Sequence, residues 1–517
     1  MKLLSAKITL LISLSTVLIG CSLTGEFKLE EASISDIHHA FETGATNCER
    51  LVGEYIARIE KYDQPTKLNA ITRVNPRALS LAKGLDEQYR STGTLRRLHC
   101  IPLIVKDNYD VEGLPTTAGS LILKDNIAKS DAYQVRKLKE AGAIVLARSN
   151  MAEWAFSPRV TISSTAGETR NSFSLEHVPA GSSGGTASAV SANFGAVGLG
   201  TDTGNSIRGP SSHNALVGFR STLGLTSRSG IVPLYQRNDV GGPMARSVAD
   251  ATRILEVIAG YDPDDAVTQN SRGRIPSSYT QFLDKNGLKG ARIGILRTLS
   301  EKDVDPEIHA LFEQAINDLR AAGAEIIDPF EVPDFDDLRE NQWCPMFRYD
   351  INRYLATLGD DAPVKNLAEI LNSGLYSDYI KEDLEYLMTA SDSPQQHEDG
   401  SSCADPYTDK SRIAFRYAIE QMMNHHDVGA IIYPSWNNPP ARVGDWDGYK
   451  GDNSQAIAPH TGQPAFTVPM GYVTGNLPAG LQFLGRMFDE PTLIKYAYAY
   501  EQATRYRKLP GILGGEF

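Results

Sequence analysis

"TASAVSANFGAVGLGTDTGNSIRGPSS" runs from Thr186 to Ser212, and its reading decides the fold. A helix of small residues passes into the short strand "AVGLG", which ends in a turn rich in Gly, Thr and Ser. The same order recurs twice. "DAYQVRKLKEAGAIVLARSN" (131–150) reads as a helix, a Gly turn and the buried strand "AIVLA", and "HALFEQAINDLRAAGAEIID" (309–328) repeats it. Helix and strand alternating in this way predict an α/β fold: one large domain with a mixed, buried central sheet flanked by helices on both faces.

Outward from that stretch, residues 30–89 read as largely helical, with Gly44 as a stop. "IPLIVKDNYDV" (101–111) is an apolar run that turns polar, as at the end of a strand. Residues 340–408, rich in Asp, Tyr and Ser, break the alternation and predict helices joined by a loop over the domain. The last hundred residues return to short strands, "VGAIIYPSW", "PAFTVPMGY" and "PAGLQFLGR", with "TLIKYAYAYEQATRY" as a closing helix. No domain boundary stands out between residues 30 and 517.

The formal net charge of −12 argues against a nucleic-acid partner. The amino terminus differs from the rest. In "MKLLSAKITLLISLSTVLIGC", Lys2 and Lys7 precede an apolar run too short to span a bilayer, as in a secretory signal. Its end, Leu18-Ile19-Gly20-Cys21, resembles the lipobox of bacterial lipoproteins. The resemblance implies a signal peptide over 1–20, a lipidated Cys21 with a tether to residue 31, a domain over 32–517, and an exported chain held on a membrane by its lipid. Cys48, Cys100, Cys344 and Cys403 remain; they can pair in three ways or stay as free thiols, and none has metal-site spacing.

Two loops hold the serines. Gly181-Ser182-Ser183-Gly184-Gly185 matches G-x-S-x-G, the elbow of α/β-hydrolase esterases, with Ser183 as nucleophile. That motif needs a buried strand leading into it, and "SFSLEHVPA" is polar and ends in Pro179-Ala180. None of the histidines lies in a signature tying it to either loop. Lys106 closes an apolar strand, where desolvation lowers a lysine pKa; equally, it can pair with Asp107 or Asp110.

Taken together, "LHCIPLIVKDNYDVEGLPTTAGS" (98–120), "AGAIVLARSNMAEWAF" (141–156), "PAGSSGGTAS…VGFRSTLGLTSRSGIVPL" (179–234), "VGGPMARSVADATRIL" (240–255) and "GQPAFTVPMGY…LPAGLQFLGRMFDEPTLI" (462–494) resemble the amidase signature family. The resemblance runs from about Ser33 to the carboxyl terminus and is weakest between about 270 and 430. It implies an amidase that opens a carboxylic or peptide amide through a covalent acyl-enzyme. Ser206 is then the nucleophile, Ser182 the bridging serine after a cis Gly181–Ser182 bond, and Lys106 the base. The N–H groups of Thr203, Gly204, Asn205 and Ser206 form the oxyanion hole, and Asp202 and Arg208 brace the loop. It calls for no metal and no organic cofactor. Three departures stand out: Asn205 replaces a usual Gly, Cys100 replaces another, and "LVGFRST" replaces "LVGLKPT". The amidase component of a tRNA-dependent amidotransferase is the alternative on the same fold, and an export signal speaks against that cytosolic role. For substrate selection, residues 340–410 are the expected surface, with Tyr349, Tyr354, Tyr376 and Tyr379 either lining an aromatic mouth or packing. Oligomeric state is not readable from the chain.

Overall fold

The structure, a computed structural model, describes residues 27–390 and 403–511. Its strands are β1 (Ile71–Val74), β2 (Pro102–Lys106), β3 (Ile144–Ser149), β4 (Ile162–Ser163), β5 (Gly167–Glu168), β6 (Val197–Asp202) and β7 (Val217–Arg220). They continue as β8 (Val240–Ala245), β9 (Arg292–Ile295), β10 (Glu325–Ile327), β11 (Ala430–Pro434), β12 (Ala465–Val473) and β13 (Leu477–Leu484). Eleven of them make one sheet in the order β1-β3-β2-β6-β8-β7-β12-β13-β11-β9-β10, and β4 and β5 pair separately. The sheet is mixed. β2 runs parallel to both β3 and β6, β9 to both β10 and β11, and the pairings of β12 with β7 and β13 are antiparallel.

Each expected helix–strand unit is present. Helix Tyr133–Glu140 precedes β3, helix Gly184–Ser191 precedes β6, and helix Pro306–Ala321 precedes β10. Asp305 caps the last of these through the N–H groups of Glu307 and Ile308, with Pro306 in the first turn, where its missing N–H is harmless. The one strand the helical reading of 30–89 passed over is β1, four residues on the sheet edge beside β3.

Helix Gly184–Ser191 is buried along its whole length. Its sequence, GGTASAVS, has no large side chain, so the helix axis comes close to the sheet. A Cβ on Gly198 of β6 would collide with the Thr186 methyl, and one on Gly185 would run into the Asn150 backbone. Small residues here are a packing requirement.

The segment 340–408 does form helices, Phe347–Thr357, Leu367–Ser373 and Lys381–Thr389. They share an apolar cluster with Leu123, Met151 and Trp154 that is separate from the main core. All four remaining cysteines pair, Cys48 with Cys100 and Cys344 with Cys403. Cys100, where the resemblance implies a glycine, has φ of 58°, a region that favours glycine.

Candidate active site

β2 and β6 bring the two halves of the site together. Leu103 lies opposite Val197 and Val105 opposite Leu199, so the carboxyl ends of both strands emerge side by side. Lys106 ends β2 and is fully buried. Its Nζ lies 2.7 Å from Ser182 Oγ and 2.7 Å from Thr201 Oγ1 on β6. Asn108 Nδ2 donates to the same Thr201 hydroxyl at 3.1 Å. Burial pulls the Lys106 pKa down to about 7, although the charges of Asp239 and Asp202 pull the other way. Neither Asp107 nor Asp110 holds the lysine: Asp107 pairs with Arg148 at 2.9 Å.

Ser182 follows a cis Gly181–Ser182 peptide bond and lies just before helix Gly184–Ser191. Its neighbour Ser183 points elsewhere. The Ser183 hydroxyl donates to Thr201 O at 3.2 Å and accepts from Thr201 N at 3.3 Å, and the residue is fully buried. Residues 178–183 are not a strand, so the elbow geometry that an esterase using Ser183 needs is not formed.

Ser206 lies on the turn between β6 and helix Arg208–His213. Among the described residues its hydroxyl has Asn205 Oδ1 as hydrogen-bond partner, at 3.4 Å. Asn205 Nδ2 donates in turn to Pro158 O at 3.2 Å. Asn205 stays outside the left-handed region, so the turn does not use the conformational tolerance that Asn offers. The N–H groups of Gly204, Asn205 and Ser206 lie beyond both flanking elements and meet no protein acceptor among the described residues.

Asp202 and Arg208 bond to one another across this turn, together with Arg220, which the sequence reading passed over. Asp202 accepts from Arg208 Nε at 3.0 Å and Nη2 at 3.1 Å, from Arg220 Nη1 at 2.9 Å, and from the Ile207 N–H at 3.2 Å. Arg208 Nη2 also donates to Gly204 O at 2.7 Å. All three side chains are fully buried. Burial alone would raise the Asp202 pKa, but Arg208 and Arg220 win and hold it at about 2. The carboxylate is therefore charged, and it ties the end of β6 to both sides of the Ser206 turn.

That turn opens into a cavity of about 310 Å³. Thr203 to Ser206 form one wall, and Phe156, Tyr235, Trp343 and Tyr386 stand around the rest. Trp343 reaches the turn itself: a Cβ on Gly204 would lie 3.1 Å from its ring. The Cys344–Cys403 disulfide fastens the residue after it. Segment 340–410 thus supplies part of the mouth, as expected, but through residues other than the four tyrosines named for it. Tyr354 is buried in the apolar cluster beneath the helices, and Tyr376 packs against the same cluster. Tyr379 shares a hydrogen bond with Ser157 Oγ at 3.2 Å, and Tyr349 lies under the Arg353 guanidinium. The two aromatics the segment does bring to the cavity are Tyr386, on helix Lys381–Thr389, and Trp343, in the irregular stretch before helix Phe347–Thr357, and the composition of the segment reveals neither placement.

Lys106 and Ser182 are thus in contact, Ser206 lies on the turn that follows β6, and Cys21 lies outside the described residues. A family model described as Amidase matches residues 50–494. The chain belongs to the amidase signature family. A probable amidase of Arabidopsis thaliana is 33% identical over 507 residues, spanning 94% of this chain and 93% of that protein. A putative amidase of Schizosaccharomyces pombe is 30% identical, spanning 93% of this chain and 87% of its own. Glutamyl-tRNA(Gln) amidotransferase components are relatives too; the one from Bdellovibrio bacteriovorus is 31% identical, spanning 92% of this chain and 97% of its own. The solved structure of a native peptide amidase from Stenotrophomonas maltophilia superposes with a TM-score of 0.83 at 36% identity, covering 94% of this chain and 99% of that one. Family membership and this likeness support an amide-hydrolysing enzyme.

The Asp202 cluster has a measurable consequence. Asp202→Asn leaves two buried guanidinium groups without their counter-charge, which should lower the unfolding free energy by about 3–5 kcal/mol in a denaturant titration. A shift under about 1 kcal/mol would mean that the cluster does not hold the turn.

Proposed function

We propose that this protein hydrolyses a carboxamide, with a peptide amide as the leading substrate class, to the acid and ammonia through an acyl-enzyme on Ser206. The observation that carries the reading is the buried contact between Lys106 Nζ and Ser182 Oγ at 2.7 Å, beside a Ser206 turn that opens into the cavity. A lysine with a pKa near 7 is largely neutral at slightly alkaline pH and accepts a proton, where an ordinary lysine would not.

The steps follow from proton affinity. Lys106 takes the proton of Ser182 as Ser182 takes that of Ser206, and Ser206 Oγ bonds to the amide carbon. For this relay the Ser206 hydroxyl must leave Asn205 Oδ1 and turn to Ser182. The carbonyl oxygen gains negative charge and is met by the N–H groups of Thr203 to Ser206, three of which have no other protein acceptor among the described residues. Ser182 returns its proton to the departing nitrogen while Lys106 reprotonates Ser182. Amides need this step more than esters, because an amide anion is a poor leaving group. Water then enters, loses its proton along the same path and releases the acid. The name of the Stenotrophomonas relative supports a peptide amide.

We further propose that the chain is exported and lipid-anchored at Cys21. The two disulfides support this reading, because such bonds persist in oxidising compartments and are rare in the cytosol. They also favour a hydrolase over a component of a cytosolic amidotransferase.

With a panel of peptide, aliphatic and aryl amides, Ser206→Ala should abolish ammonia release. Lys106→Ala should lower kcat by about 10²- to 10⁴-fold, and Ser183→Ala should keep turnover. Activity surviving Ser206→Ala would defeat the mechanism. The pH profile gives a second check. Below its pKa Lys106 is an ammonium and cannot accept the Ser182 proton, so kcat/KM should rise tenfold per pH unit and level off with a midpoint near 7. A midpoint near 10 would mean that burial does not depress the Lys106 pKa. In a bacterial host, Cys21→Ser should abolish incorporation of labelled fatty acid; labelling that persists would remove the anchor from the reading.

A further inference from the structure

The cavity wall carries a feature that amide hydrolysis does not use. Among the described residues lining it, Asp383 is the one charged side chain. Asp383, Tyr386 and Leu387 occupy helix Lys381–Thr389 at spacings of three and four, so all three lie on the face that meets the cavity. Leu387 is buried, which fixes the rotation of the helix, and Asp383 and Tyr386 stand at the rim.

No ion pair among the described residues neutralises this carboxylate. The lysine on the same helix, Lys381, reaches Glu385 at 4.0 Å instead. Partial burial and the charge of Glu382 push the Asp383 carboxyl above its usual range, the direction expected where no cation is close. Across the cavity, burial holds the Tyr235 hydroxyl protonated, and the nearby Tyr386 and Asp383 act in the same direction. Tyr235 and Trp343 meet edge-on at 6.5 Å between ring centres. A lone carboxylate among Phe156, Tyr235, Trp343 and Tyr386 is the chemistry that receives an organic cation: the carboxylate supplies charge, and the ring faces supply cation–π attraction.

We infer that the cavity selects amides whose acyl part carries a protonated amino group, and that Asp383 is the residue that recognises it. The inference rests on the reading of this cavity as the acyl-binding site of an amidase. The amino group comes either from a peptide's free amino terminus or from a lysine side chain, and both present the same ammonium.

Matched peptide amides separate the possibilities. Dipeptide amides ending in lysine, norleucine or glutamate, each with a free or an acetylated amino terminus, are assayed for ammonia release with the wild type, Asp383→Asn and Asp383→Lys. The wild type should favour the cationic member of a pair by about tenfold or more in kcat/KM, expressed mainly in KM. Asp383→Asn should bring that ratio close to unity, and Asp383→Lys should shift preference towards an amide ending in glutamate. A merely structural role for Asp383 would lower all substrates together and leave the ratio standing. The pair that carries the ratio tells the amino terminus from the side chain. Equal kcat/KM for cationic and neutral members in the wild type, or a ratio that survives Asp383→Asn, overturns the inference and leaves the amidase reading in place. Ammonia release from none of these amides overturns the peptide-amide reading and this inference with it.

Discussion

A single buried carboxylate holds one end of the sheet in shape around the Ser206 turn. Asp202 accepts hydrogen bonds from two guanidinium groups and from the backbone at the start of helix Arg208–His213, and all three charged side chains are shut off from solvent. In that setting each charge is tolerable only because the others are there. The cluster joins β6, β7 and the helix that follows the turn, and it pins the Gly204 carbonyl from below. With the carbonyl held on that side, Thr203 to Ser206 line the cavity. Ser206 therefore takes its place from a charge network in which its own hydroxyl has no part.

Lys106 shows the opposite use of burial. Asp202 is kept ionised by its cations, whereas Lys106 is pushed towards neutrality because no carboxylate contacts it and its two neighbours are hydroxyls. Asp239 is close enough to matter, but its carboxylate is occupied by Thr203 Oγ1 at 2.5 Å and by the Leu234 and Tyr235 N–H groups. One buried region thus holds a charged cluster and a lysine poised to lose its charge, on neighbouring strands. What separates them is the identity of the atoms in contact.

Much of this was legible in the chain. Helix–strand alternation announced the α/β sheet, and Lys106, Ser182 and Ser206 stood out in loops that together resemble one family. The roles of Thr201 and Arg220 were not legible. Thr201 is one more polar residue at the end of a buried strand, and it matters because β2 and β6 are parallel neighbours in register. Arg220 lies 18 residues after Asp202, and only the sheet order brings them into contact. β1 escaped notice because four residues between long helices carry too little periodicity to assert a strand.

The sequence by itself determined the family, the sheet-and-helix composition and the identity of the residues proposed for catalysis, because each is written in local spacing. Tertiary structure decided the rest. It chose which aromatic residues of the 340–408 segment reach the cavity, it put Asp383 at the rim, and it paired the cysteines as 48 with 100 and 344 with 403. The physical reason is that these are properties of distance and helical phase between segments far apart in the chain. No local pattern encodes how one packed layer is rotated against another.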